Sequence, residues 1–350
     1  MKVVLVGLAQ SGKTTIFNSL TGMHSGGGRM QEVQMGNVKV PDARIDCLTR
    51  IFKPRKTTYA DIDFLDVTGA RTEQSGAGFT QQVLAEMRSA DALVAVVADF
   101  DNPAVVHPLG RTEPLRDIKN IDAELNLTDL IQIEKRLDRM EREHKKGLEK
   151  DTLLRAMEWL NAEKPLRLFE LSETEHKLLA GYRFLSRKPL LLLLNIGENK
   201  IGQPPDATIA EYVRENRHSL MQYCAEIELE ISKLETSEQA EFLADMGLQD
   251  SGKERFVRKV YEMLRLISFL TVGEDEVRAW SIPQGTLAVK AAGKIHSDIE
   301  RGFIRAEGIN FEEFARLGSM RAARDGGHLR LEGKDYEVCD GDIINFRFNV

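Results

Sequence analysis

Cysteine is scarce in this 350-residue chain, with only Cys47, Cys224 and Cys339, odd in number and far apart. That excludes a disulfide framework and a paired-cysteine zinc site, and leaves buried free thiols as the expectation. Long apolar runs are absent too. The longest, at 93–98 and 190–194, fall far short of the roughly 20 residues needed to span a bilayer and are the size of strands. The N-terminus carries one lysine, Lys2, before the short run Val3-Val4-Leu5-Val6, without the extended apolar region and cleavage site of a signal peptide. Neither secretion nor membrane association is expected, and a cytoplasmic protein is. Positive charge is not in excess: the net charge of −7 argues against binding nucleic acid through bulk electrostatics, and no sequence-specific DNA contact is expected. The seven histidines are dispersed and offer no metal site, and no internal repeat is present. With 42% hydrophobic and 29% charged residues, what remains is an ordinary globular composition, long enough for two to three domains.

The pattern along the chain is that of an α/β protein. A strand at 2–7, a glycine-bearing turn and a helix at 14–20 are followed by a loop around Ser25-Gly26-Gly27-Gly28-Arg29 and by strands at 36–40 and 61–66. A helix near 78–89 and a buried strand at 92–98 continue the sheet. From residue 118 the texture changes. Leu130, Ile133, Leu137 and Met140 recur at three- and four-residue spacing, as do Leu153, Met157 and Leu160 after a break at Lys145-Lys146-Gly147, predicting a coiled-coil hairpin closed by Pro165. The sheet resumes at 189–195. The expected domains are therefore a nucleotide-binding domain over 1–117 and 187–266, a helical insertion over 118–186, and a small α+β module over 267–350.

The sharpest chemical signal is Gly7-Leu8-Ala9-Gln10-Ser11-Gly12-Lys13-Thr14, which fits the Walker A pattern between a strand and a helix. Glycines let backbone N–H groups converge on phosphate oxygens, Lys13 reaches the terminal phosphates, and the Thr14 hydroxyl suits magnesium. A second match to the glycine spacing, Gly247 to Lys253, has Glu254 where the hydroxyl is required and follows no strand, so it is rejected.

Asp66-Val67-Thr68-Gly69 ends a strand, placing Asp66 to hold the magnesium shell through water and Gly69 to meet a γ-phosphate. Directly after it stands Ala70, where Ras-type enzymes carry the glutamine that orients water, so hydrolysis is expected to be slow or assisted, with His107 as a candidate helper. Base selection is expected at Asn195-Ile196-Gly197-Glu198, beyond a strand end. Guanine readers use Asn-Lys-x-Asp. With Ile196 for Lys and Glu198 for Asp, guanine recognition is spoiled.

The altered guanine motif, the missing glutamine, the helical insertion and the C-terminal module together resemble the Obg-like ATPase family, the YchF proteins. So do Val277-Arg278-Ala279-Trp280, Ala291-Ala292-Gly293-Lys294-Ile295-His296, Gly302-Phe303-Ile304-Arg305-Ala306-Glu307, Glu332-Gly333-Lys334-Asp335-Tyr336, and Asp340-Gly341-Asp342 with Phe348-Asn349-Val350, which are similar to that family's TGS domain. The resemblance covers essentially the whole chain. It implies a Ras-like P-loop NTPase sheet with an inserted coiled-coil hairpin and a C-terminal β-grasp (ubiquitin-like, TGS) domain. It further implies ATP hydrolysed in preference to GTP, magnesium as cofactor, ATP and ADP as ligands, and the ribosome, by way of the large subunit's RNA or protein, as partner. Carried over residue by residue, the nucleotide-binding set is Gly7, Gln10, Ser11, Gly12, Lys13, Thr14, Thr15, Asn195, Ile196, Glu198 and Ala225, with Lys13, Thr14, Asp66 and Gly69 catalytic. The chain departs from the family where Gln10 replaces the Asn linked to potassium, and near Met30, where the switch threonine is absent. A binding module with negligible turnover and a GTP-binding GTPase remain as alternatives. Lys290, Lys294, Arg301, Arg305, Arg321, Arg324 and Arg330 are expected to offer a basic face in the last module.

Overall fold

The computed structural model describes residues 1–23, 33–67, 79–101 and 107–349. Two compact units emerge, Met1–Val38 with Asp63–Lys259, and Lys39–Ile62 with Val260–Val350. Among the described residues the strands in chain order are β1 Lys2–Val6, β2 Val33–Lys39, β3 Lys56–Thr58, β4 Asp61–Val67, β5 Ala92–Asp99, β6 Leu190–Ile196, β7 Ser219–Tyr223, β8 Leu266–Thr271, β9 Glu276–Pro283, β10 Phe303–Asn310, β11 Arg330–Glu332 and β12 Asp342–Phe348.

In the first unit a six-stranded sheet runs β2-β4-β1-β5-β6-β7. The ladders β1/β4, β1/β5, β5/β6 and β6/β7 are all parallel. Central parallel strands are covered on both faces, which is why β6 reads Leu-Leu-Leu-Leu-Leu-Asn-Ile, buried at every position, instead of alternating. The helix Gln81–Ser89 starts where the Thr80 hydroxyl accepts from Val83 N at 3.3 Å, and buries Val83 and Met87 against the sheet.

The long helix Pro114–Arg142 opens with Pro114, whose missing N–H is no loss in a first turn. Its first part joins the sheet core through Ile118, Ile121 and Leu125. Beyond that, Ile133, Leu137 and Met140 form a separate core with Leu153, Ala156 and Leu160 of the antiparallel helix Leu148–Asn161. The three- and four-residue seam thus builds a hairpin with a hydrophobic interior of its own. Two buried carboxylates fasten it. Asp129 accepts from Leu185 N at 2.9 Å and Ser186 N at 2.7 Å, and burial pushes its pKa up to about 6. Asp122 accepts from Arg167 at 2.6 Å, His218 Nε2 at 2.7 Å and Tyr212 at 2.9 Å. His218 is fully enclosed, and burial holds its imidazole below the ordinary value, so it stays neutral.

The second unit has a six-stranded sheet ordered β11-β10-β12-β8-β9-β3, with β12 and β8 parallel and β10/β12 and β8/β9 antiparallel. Helix Ala288–Ile295 lays Ala288, Ala291 and Ala292 on Phe269, Phe303, Ile344 and Phe346, and small residues on that helix let it come close to the sheet in a β-grasp arrangement. Asp340 and Asp342 are structural: Asp340 accepts from Ser268 N at 2.8 Å, and the fully buried Asp342 accepts from Tyr336 at 2.7 Å and Cys339 N at 2.9 Å. Of the seven cations expected to form a basic face, Lys290, Arg301, Arg321 and Arg330 are paired with Glu300, Asp298, Asp325 and Asp342, so much of their charge is met locally. Among the described residues no helix is long and apolar enough to cross a membrane.

Candidate nucleotide site

The loop between β1 and the helix Lys13–Thr21 lies at the carboxyl edge of the sheet, flanked by β4, β5 and β6. Two of its glycines are obligatory. At Gly7, φ is +145° and a Cβ would stand 2.3 Å from the Val96 carbonyl oxygen; at Gly12, φ is +90° and a Cβ would stand 2.2 Å from Asn195 Nδ2. Gln10 adopts φ +61° without being glycine, a conformation that costs an L-residue about 1–2 kcal/mol. Gly12 is the N-cap and supplies no side-chain cap, so the first-turn amides of Thr14 and Thr15 have no acceptor within the helix. An anion completes such an end, favoured by the helix dipole.

Lys13 Nζ donates to the carbonyls of Gly7 at 3.0 Å and Leu8 at 2.7 Å, which holds the cation over the loop. The Thr14 hydroxyl donates to Asp66 Oδ2 at 2.9 Å. Asp66, at the end of β4, is completely buried, and its other oxygen, Oδ1, has no hydrogen-bond partner. Burial raises the Asp66 pKa against the pull of the Thr14 hydrogen bond and the Lys13 charge. An orphaned carboxylate oxygen beside a threonine hydroxyl is a donor set that suits a hard cation. The pair supplies too few ligands alone, so magnesium here would complete its shell with phosphate oxygens and water.

Asn195 and Ile196 end β6 and, by strand alternation, address opposite faces. Asn195 is buried and bonded at both ends of its amide: Nδ2 donates to the Ser11 carbonyl at 3.1 Å, and Oδ1 accepts from Ala225 N at 3.1 Å. It ties the phosphate loop to the start of the helix Ala225–Ile231. Below this tie Tyr223, fully buried, shares a 2.7 Å hydrogen bond with Ser19 of the first helix. Ile196 instead lines a cavity of about 420 Å³ with Ile201, Cys224, Ile227 and Glu228. Glu198 is exposed and begins a short turn, Glu198–Lys200, pinned by Lys200 on Asp99 at 2.7 Å.

His107 is nearly buried and held from both sides: Nε2 pairs with Asp117 at 2.9 Å, and Nδ1 accepts from Leu109 N at 3.2 Å. Gly69, Ala70, Ser25 and Met30 lie outside the described residues. Sequence reasoning missed Asp117 and the Ser19–Tyr223 bond. Asp117 lies in the first turn of the helix Pro114–Arg142, one residue before the helical texture is expected to begin; for the Ser19–Tyr223 bond, residues 204 apart in sequence carry no signal.

The rejected glycine motif also opens a helix, Gly252–Met263, but there Glu228 Oε1 already accepts from Gly252 N at 2.7 Å. A protein carboxylate occupies the position that an anion would take.

Comparison with known proteins matches residues 2–136 to a family described as 50S ribosome-binding GTPase. Residues 266–349 match the YchF-GTPase C-terminal family, described as a protein of unknown function. The Ribosome-binding ATPase YchF of Bacillus subtilis is 37% identical over 99% of this chain and 98% of its own. Its counterpart in Pasteurella multocida is 36% identical over 100% and 99%. The structure titled Schizosaccharomyces pombe YchF GTPase superposes with a TM-score of 0.86 at 26% identity, over 99% of this chain and 97% of that one.

Proposed function

The chain belongs to the YchF family of P-loop proteins, and on that premise we propose that it is a ribosome-associated nucleotide switch that binds ATP in preference to GTP and hydrolyses it slowly. The observation that carries the reading is the Lys13, Thr14 and Asp66 constellation under a helix end free of any side-chain cap. In use, the amides of residues 12–15 receive the β-phosphate, and Lys13 exchanges the Gly7 and Leu8 carbonyls for phosphate oxygens. Thr14 directly, and the unpartnered oxygen of Asp66 through water, would hold magnesium, which supplies charge neutralisation at the transferred phosphoryl group.

Slow turnover follows from Ala70 in place of a water-orienting side chain. His107 is the assisting group in this reading: Asp117 lies 2.9 Å from Nε2, and release of Nδ1 from Leu109 N leaves a nitrogen able to orient water. Preference for ATP follows from the donors that guanine presents, which need a short carboxylate at a fixed depth. Glu198 is one methylene longer and exposed, and Ile196 contributes no charge. Ribosome association, by way of the large subunit and in the cytoplasm, is supported by the naming of the full-length bacterial relatives and by the 50S description of the family matched over 2–136.

The test is turnover of ATP and GTP by the purified full chain, with and without bacterial ribosomes. Expected are slow ATP hydrolysis, slower GTP hydrolysis and co-sedimentation with ribosomes. A clear GTP preference, or no nucleotide binding at all, overturns the switch as stated.

A further inference from the structure

The hairpin ends in a charge pattern that the nucleotide site does not use. Although the chain carries a net charge of −7, residues 135–150 hold seven Lys or Arg and His144 against four Asp or Glu. Lys135, Arg139 and Arg142 stand at i, i+4 and i+7 on the long helix and so share one face. Lys146 continues the row into the turn, and all four are exposed. Among the described residues no carboxylate lies within ion-pair distance of any of these four, whereas Arg136 and Lys145 are paired with Glu149 at 2.9 Å and Glu143 at 2.8 Å. Glu134, Asp138 and Glu141 form a parallel row one position back, yet no ion pair closes between the rows.

The positive field is felt by the local acids. Glu143 is held below the usual carboxylate range by its hydrogen bond to Lys145 and then by the charges of Arg139 and Arg136. The tip is also firmly built. Lys145 N donates to Met140 O at 2.8 Å, His144 N to Glu141 O at 3.0 Å, and φ values of +53° at His144 and +118° at Gly147 reverse the chain in few residues. Met140 and Leu153 seal the hairpin interior behind it. Leu125 is the last residue of the long helix in the sheet core, and Arg142 lies 17 residues on, about 25 Å further along the helix at ~1.5 Å per residue. The first unit thus carries a row of cations outside any ion pair among the described residues, at the end of a stiff arm about 25 Å beyond the sheet core at ~1.5 Å per residue.

We propose that the arm tip, through Arg139, Arg142 and Lys146 with Lys135 behind them, is a docking element for the phosphate backbone of structured RNA. The proposal rests on the ribosome-associated reading for its physiological partner, but not for its chemistry. Phosphate contacts from a rigid cationic ridge give affinity without sequence preference, and each displaces condensed counterions. A bilayer is the poorer fit, because Leu148 is the sole large apolar side chain among residues 141–150 and an interfacial helix needs a continuous apolar face.

The experiment uses the full chain and its Arg139→Gln/Arg142→Gln/Lys146→Gln variant, each titrated by anisotropy against a labelled RNA duplex at several salt concentrations and sedimented with bacterial ribosomes. Intact ATP binding and an unchanged melting temperature certify the fold of the variant. Expected is at least a tenfold loss of RNA affinity at low salt, with the slope of log K against log salt reduced by about 2 to 3, at ~0.7–0.9 per phosphate contact. Sedimentation should fall in parallel. A second variant, Glu134→Gln/Asp138→Asn/Glu141→Gln, should bind RNA as well as the parent or better. Equal RNA affinity and salt slope for parent and cation variant overturn the proposal, whatever the ribosome result. So does loss of sedimentation in a variant whose parent ignores the RNA duplex, which assigns the tip to a protein contact. RNA binding that depends on the tip, in a parent that does not sediment with ribosomes, supports the proposal and rejects the ribosomal reading.

Discussion

Replacing Asn195 by alanine separates two roles that the motif alone does not. In guanine-specific relatives of the P-loop class an asparagine at this position belongs to the base-reading motif, but here its amide is spent on protein, between the Ser11 carbonyl and Ala225 N, both at 3.1 Å. Asn195→Ala leaves one buried acceptor and one buried donor unpaired, at about 1–3 kcal/mol each. Water reaching one of the two lowers the sum, so a loss of about 3 kcal/mol is the expectation for the first unit. For a unit of this size that corresponds to a fall of roughly 6–12 °C in melting temperature, at ~2–4 °C per kcal/mol. Because the Ser11 carbonyl belongs to the phosphate loop, the loosened loop should bind every nucleotide less well by the same factor, about tenfold for each 1.4 kcal/mol transmitted. Calorimetric melting reads the first quantity. Titration with non-hydrolysable ATP and GTP analogues reads the second, with the ATP-to-GTP ratio unchanged. Loss for one base alone would make Asn195 a base reader, and a melting shift under about 2 °C would deny that the two hydrogen bonds carry weight.

Lys13→Ala should abolish binding of triphosphates, since a charge-assisted set of contacts worth several kcal/mol is lost; unchanged affinity by calorimetry removes the phosphate loop from the account. Ile196→Lys/Glu198→Asp should move the ATP-to-GTP affinity ratio toward GTP, because both residues then match the guanine pattern; a ratio that stays put places base selection elsewhere. Asp129 is the group to follow with pH. Its folded pKa of about 6 lies above the unfolded value, so the native state holds the extra proton, and stability falls as pH rises from about 4 to 6. Asp129→Asn should flatten that slope relative to the parent in melting curves across this range, at the cost of one acceptor for Leu185 N or Ser186 N; an identical pH profile refutes the assignment.

Several features were legible because they are local. The glycines at 7 and 12, the lysine and the hydroxyl that follow, and the strand before them specify a phosphate loop through backbone geometry alone, and the structure forms it with the helix beginning at Lys13. The hairpin was legible for the same reason, since a three- and four-residue apolar period admits one helical face, and Ile133, Leu137, Met140, Leu153 and Leu160 are all buried. Pairings between distant segments were not legible. Residues 39–62 join the C-terminal segment, with β3 beside β9, because hydrogen-bonding edges and buried faces select partners only once both are folded. The same holds for Asp129, Asp122 and Glu228, for which no spacing along the chain names a partner and which are buried on the amides, guanidinium and imidazole that the fold delivers to them. The sequence by itself determined the chemistry of the phosphate loop, since that depends on neighbours within eight residues. Only the tertiary structure decided that Asn195 holds the loop and that Ile196 turns away from it, because a side chain's partner across a sheet is set by register and alternation, which no spacing along the chain encodes.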